Sequence, residues 1–237
     1  MNRRVRRSAG LQLSCAIVLL LVGPAAPARA ADQPLAIFHA FDQAFADVGT
    51  FVCELASQGY SHVQIAPAQK SNPSEEWWAR YQPVDYSVIE GKGSEADLGN
   101  LVSTAHSCGV KVVADVVFNH MADVPEFHDL DFPGIDHTSF HPRCGIDYAD
   151  GNRRTELDCW LGTLPDLDQS KPAVQAAQEG HLRKLLDLGI DGVRFDAAKH
   201  MPAAALQLYL DFIRDQSGGG AWSYLEVIED GDTKASR

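Results

Sequence analysis

Three short segments hold residues that could do chemistry together. Gly192 to His200 reads GVRFDAAKH, an apolar run that stops on an acid and carries a Lys–His pair one turn later. Side chains in a strand alternate with period two, so Arg194 and Asp196 point the same way, with the acid at the strand's C-terminal mouth. A guanidinium beside that acid favours its ionised form. An ionised carboxylate at the end of a parallel strand is where a (β/α) barrel keeps a nucleophile. Taken alone, the segment reads equally as a structural ion pair capping a strand. ADVVFNH, Ala114 to His120, puts Asp115 inside a strand with Asn119 and His120 at its mouth. YLEVIE, Tyr224 to Glu229, puts Glu226 at the mouth of another.

The elements that must position these acids alternate. Apolar runs predict strands at Ala36–Ala40, His62–Ala66, Val110–Val117, Asp191–Asp196 and Trp222–Val227. Helix-period stretches fall between them at about Phe45–Gln58, Glu95–Ser107, Lys171–Leu188 and Pro202–Gln216. Strands alternating with helices predict a parallel α/β fold. Pro172 near the start of the third helix and Gly109 after the second suit an N-terminal turn and a C′ position. Residues Asn119 to Gln169 are too long a stretch for a structureless loop and are expected to form a small excursion domain. Five β/α units fall short of a (β/α)8 TIM barrel, which usually takes about 250 residues. The expected architecture is therefore an incomplete barrel: a leader at residues 1–30, the first barrel part at 31–118, the excursion (B) domain at 119–169, and the barrel continued but truncated at 170–237. An open doubly wound sheet would want a Gly-rich loop after its first strand, and His39-Ala40-Phe41-Asp42 is not one.

The first thirty residues have the order of a secretory signal: Arg3, Arg4, Arg6 and Arg7, an apolar run from Leu11 to Gly23, and small residues at Ala28 and Ala30. The run is shorter than the ~20 residues of a membrane span, so an exported, extracellular protein with no membrane anchor is expected. Without residues 1–30 the chain keeps 15 basic against 32 acidic residues, a net charge of −17. Such a surface repels nucleic acid and anionic membrane, and it offers oxygen ligands to a hard cation. Cys53, Cys108, Cys144 and Cys159 remain, an even set that suggests two disulfides with three pairings open. None has the two-residue spacing of a zinc knuckle.

In order and spacing the three acid-bearing segments resemble those of the α-amylase family of glycoside hydrolases. LPDLD at Leu164–Asp168 resembles a further family segment within the excursion domain. WWARYQPVDY, Trp77 to Tyr86, is similar to the WWxRYQPVSY stretch of animal and actinobacterial α-amylases, with Asp85 in place of the serine. The similarity runs from about Ala36 to Glu229.

The resemblance implies Asp196 as nucleophile and Glu226 as general acid/base. A retaining glycosidase uses two such carboxyls roughly 5 Å apart. Arg194 would hold Asp196 charged, while burial beside it would keep Glu226 protonated. Glu229 could compete for the acid role, but it matches the aspartate that ends the family segment. The resemblance also implies a calcium ion held by the side chains of Asn119 and Asp166 and by the backbone carbonyls of Leu157 and His200, Leu157 standing where some relatives have arginine. Trp77, Trp78 and Tyr81 would stack on sugar rings, while Gln82, His120, Arg194, Lys199 and His200 would bind hydroxyls. Cys53–Cys108 and Cys144–Cys159 are the implied disulfides. In chloride-activated relatives the residue matching Arg194 also binds the anion, its other ligands falling beyond Arg237. The family's third carboxylate, in an FxxNHD segment, is absent; after Glu226 the only aspartates are Asp230 and Asp232.

The implied function is endo-hydrolysis of α-1,4-glucosidic bonds in starch-type glucans with retention. The 237-residue chain is expected to be an N-terminal portion, inactive alone and monomeric when full length. An exo-acting maltooligosaccharide-forming amylase or transglycosylase is the alternative within the family. A catalytically inactive starch-binding protein is the alternative outside it.

Overall fold

The computed structural model describes residues 36–124, 130–149 and 153–229. The expected leader and the Asp230 and Asp232 positions lie outside the described residues. The centre is a five-stranded parallel sheet of β1 (Ile37–Ala40), β2 (His62–Ile65), β5 (Lys111–Val117), β8 (Gly192–Asp196) and β9 (Trp222–Leu225), in that spatial order. All four pairings are parallel. Each predicted strand is present within two residues of its expected ends. β5, KVVADVV, is buried at every position but Lys111, as a central parallel strand covered on both faces must be.

Helices α1 (Phe45–Ser57), α2 (Glu95–Ser107), α4 (Pro172–Asp187) and α5 (Ala203–Gln216) supply the crossovers. α1 buries Phe45, Val48, Val52 and Leu55, a stripe at helical spacing. α2 opens with a capping box in which Ser94 and Asp97 satisfy each other's backbone N–H. It is followed by Gly109 at φ 78°. α4 has Pro172 in its first turn, where the missing N–H costs nothing. Among the described residues β1 and β9 are edges and the sheet does not close.

Two elements escape the sequence pattern. β3 (Gln69–Ser71) pairs antiparallel with β4 (Pro83–Ile89), and a 3-10 turn at Trp77–Tyr81 lies between them. β4 buries Pro83, Tyr86 and Ile89, every third residue, and the pairing register shifts twice. No period of two exists there to be read.

The excursion stretch contains a two-residue hairpin, β6 (Asp131–Phe132) with β7 (Ile135–Asp136), and the short helix α3 (Arg153–Asp158). Its Phe132, Ile135, Phe140, Trp160 and Leu167 join the same continuous core as the sheet and helices. The disulfides are Cys53–Cys108, tying α1 to the end of α2, and Cys144–Cys159, closing a loop around α3.

Candidate active site

The site is assembled by strand register. Arg194 of β8 stands opposite Asp115 of β5 and Tyr224 of β9. Directly paired residues of parallel strands share a face. Arg194 therefore meets acids both across and along strands: Nη1 donates to Asp115 Oδ1 at 2.8 Å and Oδ2 at 2.9 Å on β5, and to Asp196 Oδ1 at 2.8 Å on its own strand. Nη2 pairs with Glu226 Oε1. Asp115 is fully buried and also accepts from the Tyr81 hydroxyl at 3.0 Å and Gln64 Nε2 at 3.4 Å. Gln64 Oε1 in turn accepts from the Tyr224 hydroxyl.

One guanidinium thus serves three carboxyls. Burial pushes Asp196 up to about 8, and repulsion from Asp115 adds to the rise against the pull of Arg194. Burial likewise raises Asp115 to about 6, with Arg194 opposing. Arg194 pulls Asp196 down against burial and the repulsion of Asp115, and it shares its charge with Asp115 and Glu226 as well. Glu226, expected to be buried, has a side chain 34% exposed. It follows the last residue of β9, an edge strand among the described residues. Its Oε2 accepts the Ala197 N–H at 3.0 Å. Ala197 takes a left-handed backbone, φ 49°, directly after the nucleophile candidate. Glu229 is exposed and does not line the site.

Asp196 and Glu226, with Arg194, line a cavity of about 440 Å³. Phe41, Trp77, Trp78 and Tyr81 form an aromatic wall, with Phe41 5.5 Å from Trp77 and 6.5 Å from Tyr81 between ring centroids. Gln82, His120 and His39 supply polar edges, and Leu161 and Leu164 reach in from the excursion stretch. Burial lowers His120 to about 4, so its ring is neutral, and Nε2 contacts the Tyr81 carbonyl at 3.0 Å. A larger hollow of about 630 Å³ lies between α4 and β4, but Lys184 is its one ionisable group besides the core-facing Tyr86. The clustered acids single out the smaller cavity.

Of the expected sugar-binding residues, Trp77, Trp78, Tyr81, Gln82, His120 and Arg194 line this cavity. Lys199 and His200 do not. Both are buried on the excursion side, Lys199 Nζ lying 4.7 Å from the centre of the Tyr148 ring and His200 Nδ1 3.1 Å from the Glu156 carbonyl. His39, Phe41, Leu161, Leu164 and the role of Asp115 were missed. His39 and Phe41 alternate at the mouth of β1, the same signal that exposed Arg194 and Asp196.

Asn119 and Asp166 lie side by side at the root of the excursion, where His120 and Asp166 form a β-bridge. Asn119 Oδ1 and Asp166 Oδ1 are buried without a hydrogen-bond partner. Two orphaned hard oxygens suit a cation such as calcium. The other carboxylate oxygen, Asp166 Oδ2, is 2.6 Å from His141 Nδ1. Burial raises Asp166 to about 7, with His141 opposing. Among the described residues no three His, Cys, Asp or Glu side chains gather as a metal cluster, so a cation here would need amide and carbonyl oxygens. The His200 ring contacts the Glu156 carbonyl, next in sequence to Leu157.

Residues 55–132 match the family model described as the alpha amylase catalytic domain. An α-amylase of Phaedon cochleariae is 34% identical, over 85% of this chain and 46% of its own length. One from Thermomonospora curvata is also 34% identical, over 92% and 40%. The solved structure of a mutant α-amylase I from Eisenia fetida with maltohexaose superposes with a TM-score of 0.75 at 29% identity, covering 83% of this chain and 45% of that one. The chain spans less than half the length of each of these relatives. In sequence and in fold, across most of its described residues, the chain is a relative of the α-amylase family of glycoside hydrolases.

Proposed function

We propose that the protein is a secreted enzyme that hydrolyses internal α-1,4 bonds of starch-type glucans with retention of configuration. One observation carries this: Asp196 and Glu226, from adjacent strand ends, share Arg194 at the floor of an aromatic-walled cavity. Sugar rings would stack on Trp77, Trp78 and Tyr81, with Gln82 and His120 meeting hydroxyls. Asp196 would attack the anomeric carbon while Glu226 gives its proton to the leaving oxygen. Water then releases the glycosyl–enzyme ester as Glu226 takes a proton back. Three carboxyls around one guanidinium favour retention of a proton in the cluster, and in the productive complex we place it on Glu226. Asp115 serves as an anchor for Arg194 rather than as a reacting group.

Calcium is proposed at Asn119 Oδ1, Asp166 Oδ1 and the carbonyls of Leu157 and His200, where its charge would satisfy the orphaned oxygens and tie the excursion to the sheet. The leader-like N-terminus and the two disulfides support an extracellular location. The maltooligosaccharide bound by the Eisenia fetida relative supports an α-glucan as substrate. The test is the full gene product on soluble starch, compared with Asp196→Asn. Release of mixed oligosaccharides that start as α-anomers, lost in the variant, is the expected result. Equal activity in the two proteins would leave a starch-binding role, and a single dominant short product would leave an exo-acting one.

A further inference from the structure

We propose that Arg153 and Glu156 of α3 form a positioning clamp that fixes the turn after β8 and, through it, the carboxyl of Glu226. This rests on the roles proposed for Asp196 and Glu226. Glu156 is 1% exposed, a depth at which a carboxylate persists only when paired. Arg153 Nη1 pairs with it at 2.7 Å, and the same guanidinium's Nη2 donates to the Lys199 carbonyl at 2.8 Å. His200 Nδ1 adds a contact to the Glu156 carbonyl at 3.1 Å. α3 therefore grips the 3-10 turn Ala198–His200 from the excursion side.

The opposite side of that turn holds Glu226. Ala197 N–H donates to Glu226 Oε2 at 3.0 Å, and Lys199 N–H donates to the Glu226 carbonyl at 3.2 Å. Ala197 does this from a left-handed backbone that an L-residue keeps only when its surroundings enforce it. Neither Arg153 nor Glu156 lines the cavity, so neither can touch substrate there. What they can set is where the Ala197 N–H points, and hence where the acid/base oxygen sits relative to Asp196.

The double substitution Arg153→Ala with Glu156→Gln removes the guanidinium without stranding a buried charge. In the full gene product at saturating calcium, kcat on an α-1,4-oligosaccharide is expected to fall about tenfold with KM changed less than about twofold, the pattern of lost transition-state positioning. Amide exchange at Ala197 and Lys199 is expected to quicken about tenfold while the Val112–Val116 amides of β5 hold. Arg154→Ala, on the same helix and 83% exposed, serves as the control that changes neither. Wild-type kcat, or unchanged exchange at Ala197 and Lys199, overturns the proposal. Should the double variant not fold, Arg153→Lys reads the same two quantities, since an ammonium beside Glu156 cannot also span to the Lys199 carbonyl. Absence of turnover in the unsubstituted protein defeats the proposed function instead, and the exchange measurement still decides the clamp.

Discussion

Asp196 and Asp166 are both nearly buried aspartates at the carboxyl end of the sheet, yet the chain treats them oppositely. Asp196 shares a guanidinium with two other acids. Asp166 keeps one oxygen on His141 and leaves the other without a partner. Burying a carboxylate costs several kcal/mol unless it is compensated. At Asp196 the compensation is built in but divided among competitors; at Asp166 the cation proposed above would supply part of it. A buried acid whose cation is internal suits chemistry, because its proton affinity can be tuned. One with a vacant oxygen suits ligation.

The sharpest break of this contrast is loss of chemistry. Asp196→Asn or Glu226→Gln in the full gene product is expected to cut kcat on starch by about 10³-fold or more, while Asp166→Asn, assayed with saturating calcium, cuts it far less. Reducing-end assays at matched protein stability check this.

Next in size is the internal cation. Arg194→Met strands Asp115 and Asp196 together and is expected to cost about 3–5 kcal/mol in urea unfolding, because an uncompensated buried charge remains. Adding Asp115→Asn should return part of that loss.

The external cation ranks third. Calcium at a hundred times its dissociation constant is expected to stabilise the fold by about 2.7 kcal/mol. Asp166→Ala should abolish this calcium-dependent rise in Tm, and Asp196→Asn should leave it intact. A rise that survives Asp166→Ala would move the cation elsewhere.

The smallest effect is on pH. Asp115 and Asp196 bind protons more tightly folded than unfolded, so their stabilising contribution is complete below about 3.8 and is lost as pH rises through about 6 and about 8. Asp196→Asn removes one of the two, so its Tm should fall less than the wild type's between pH 5 and pH 8, read from thermal melts.

Much of this was legible in the sequence, for reasons that can be named. The five strands showed as apolar runs, and Arg194 with Asp196 showed through strand alternation. The β3–β4 hairpin did not show, because its burial runs every third residue and its register slips. The sharing of Arg194 by Asp115 was hidden for another reason: it is a property of the register between β5 and β8, present in neither segment alone. The exposure of Glu226 is a fact of packing among the described residues, which residue types do not record. Asn119 and Asp166 were reached only through family resemblance; their unsatisfied oxygens are a fact of packing.

The loop closed by Cys144 and Cys159 spans 15 residues and encloses α3. A cross-link of that size removes roughly 3 kcal/mol of chain entropy from the unfolded ensemble. A reduced molecule would keep its sheet and every acid of the cleft while losing the tether on the helix that bears Arg153, Glu156 and Leu157.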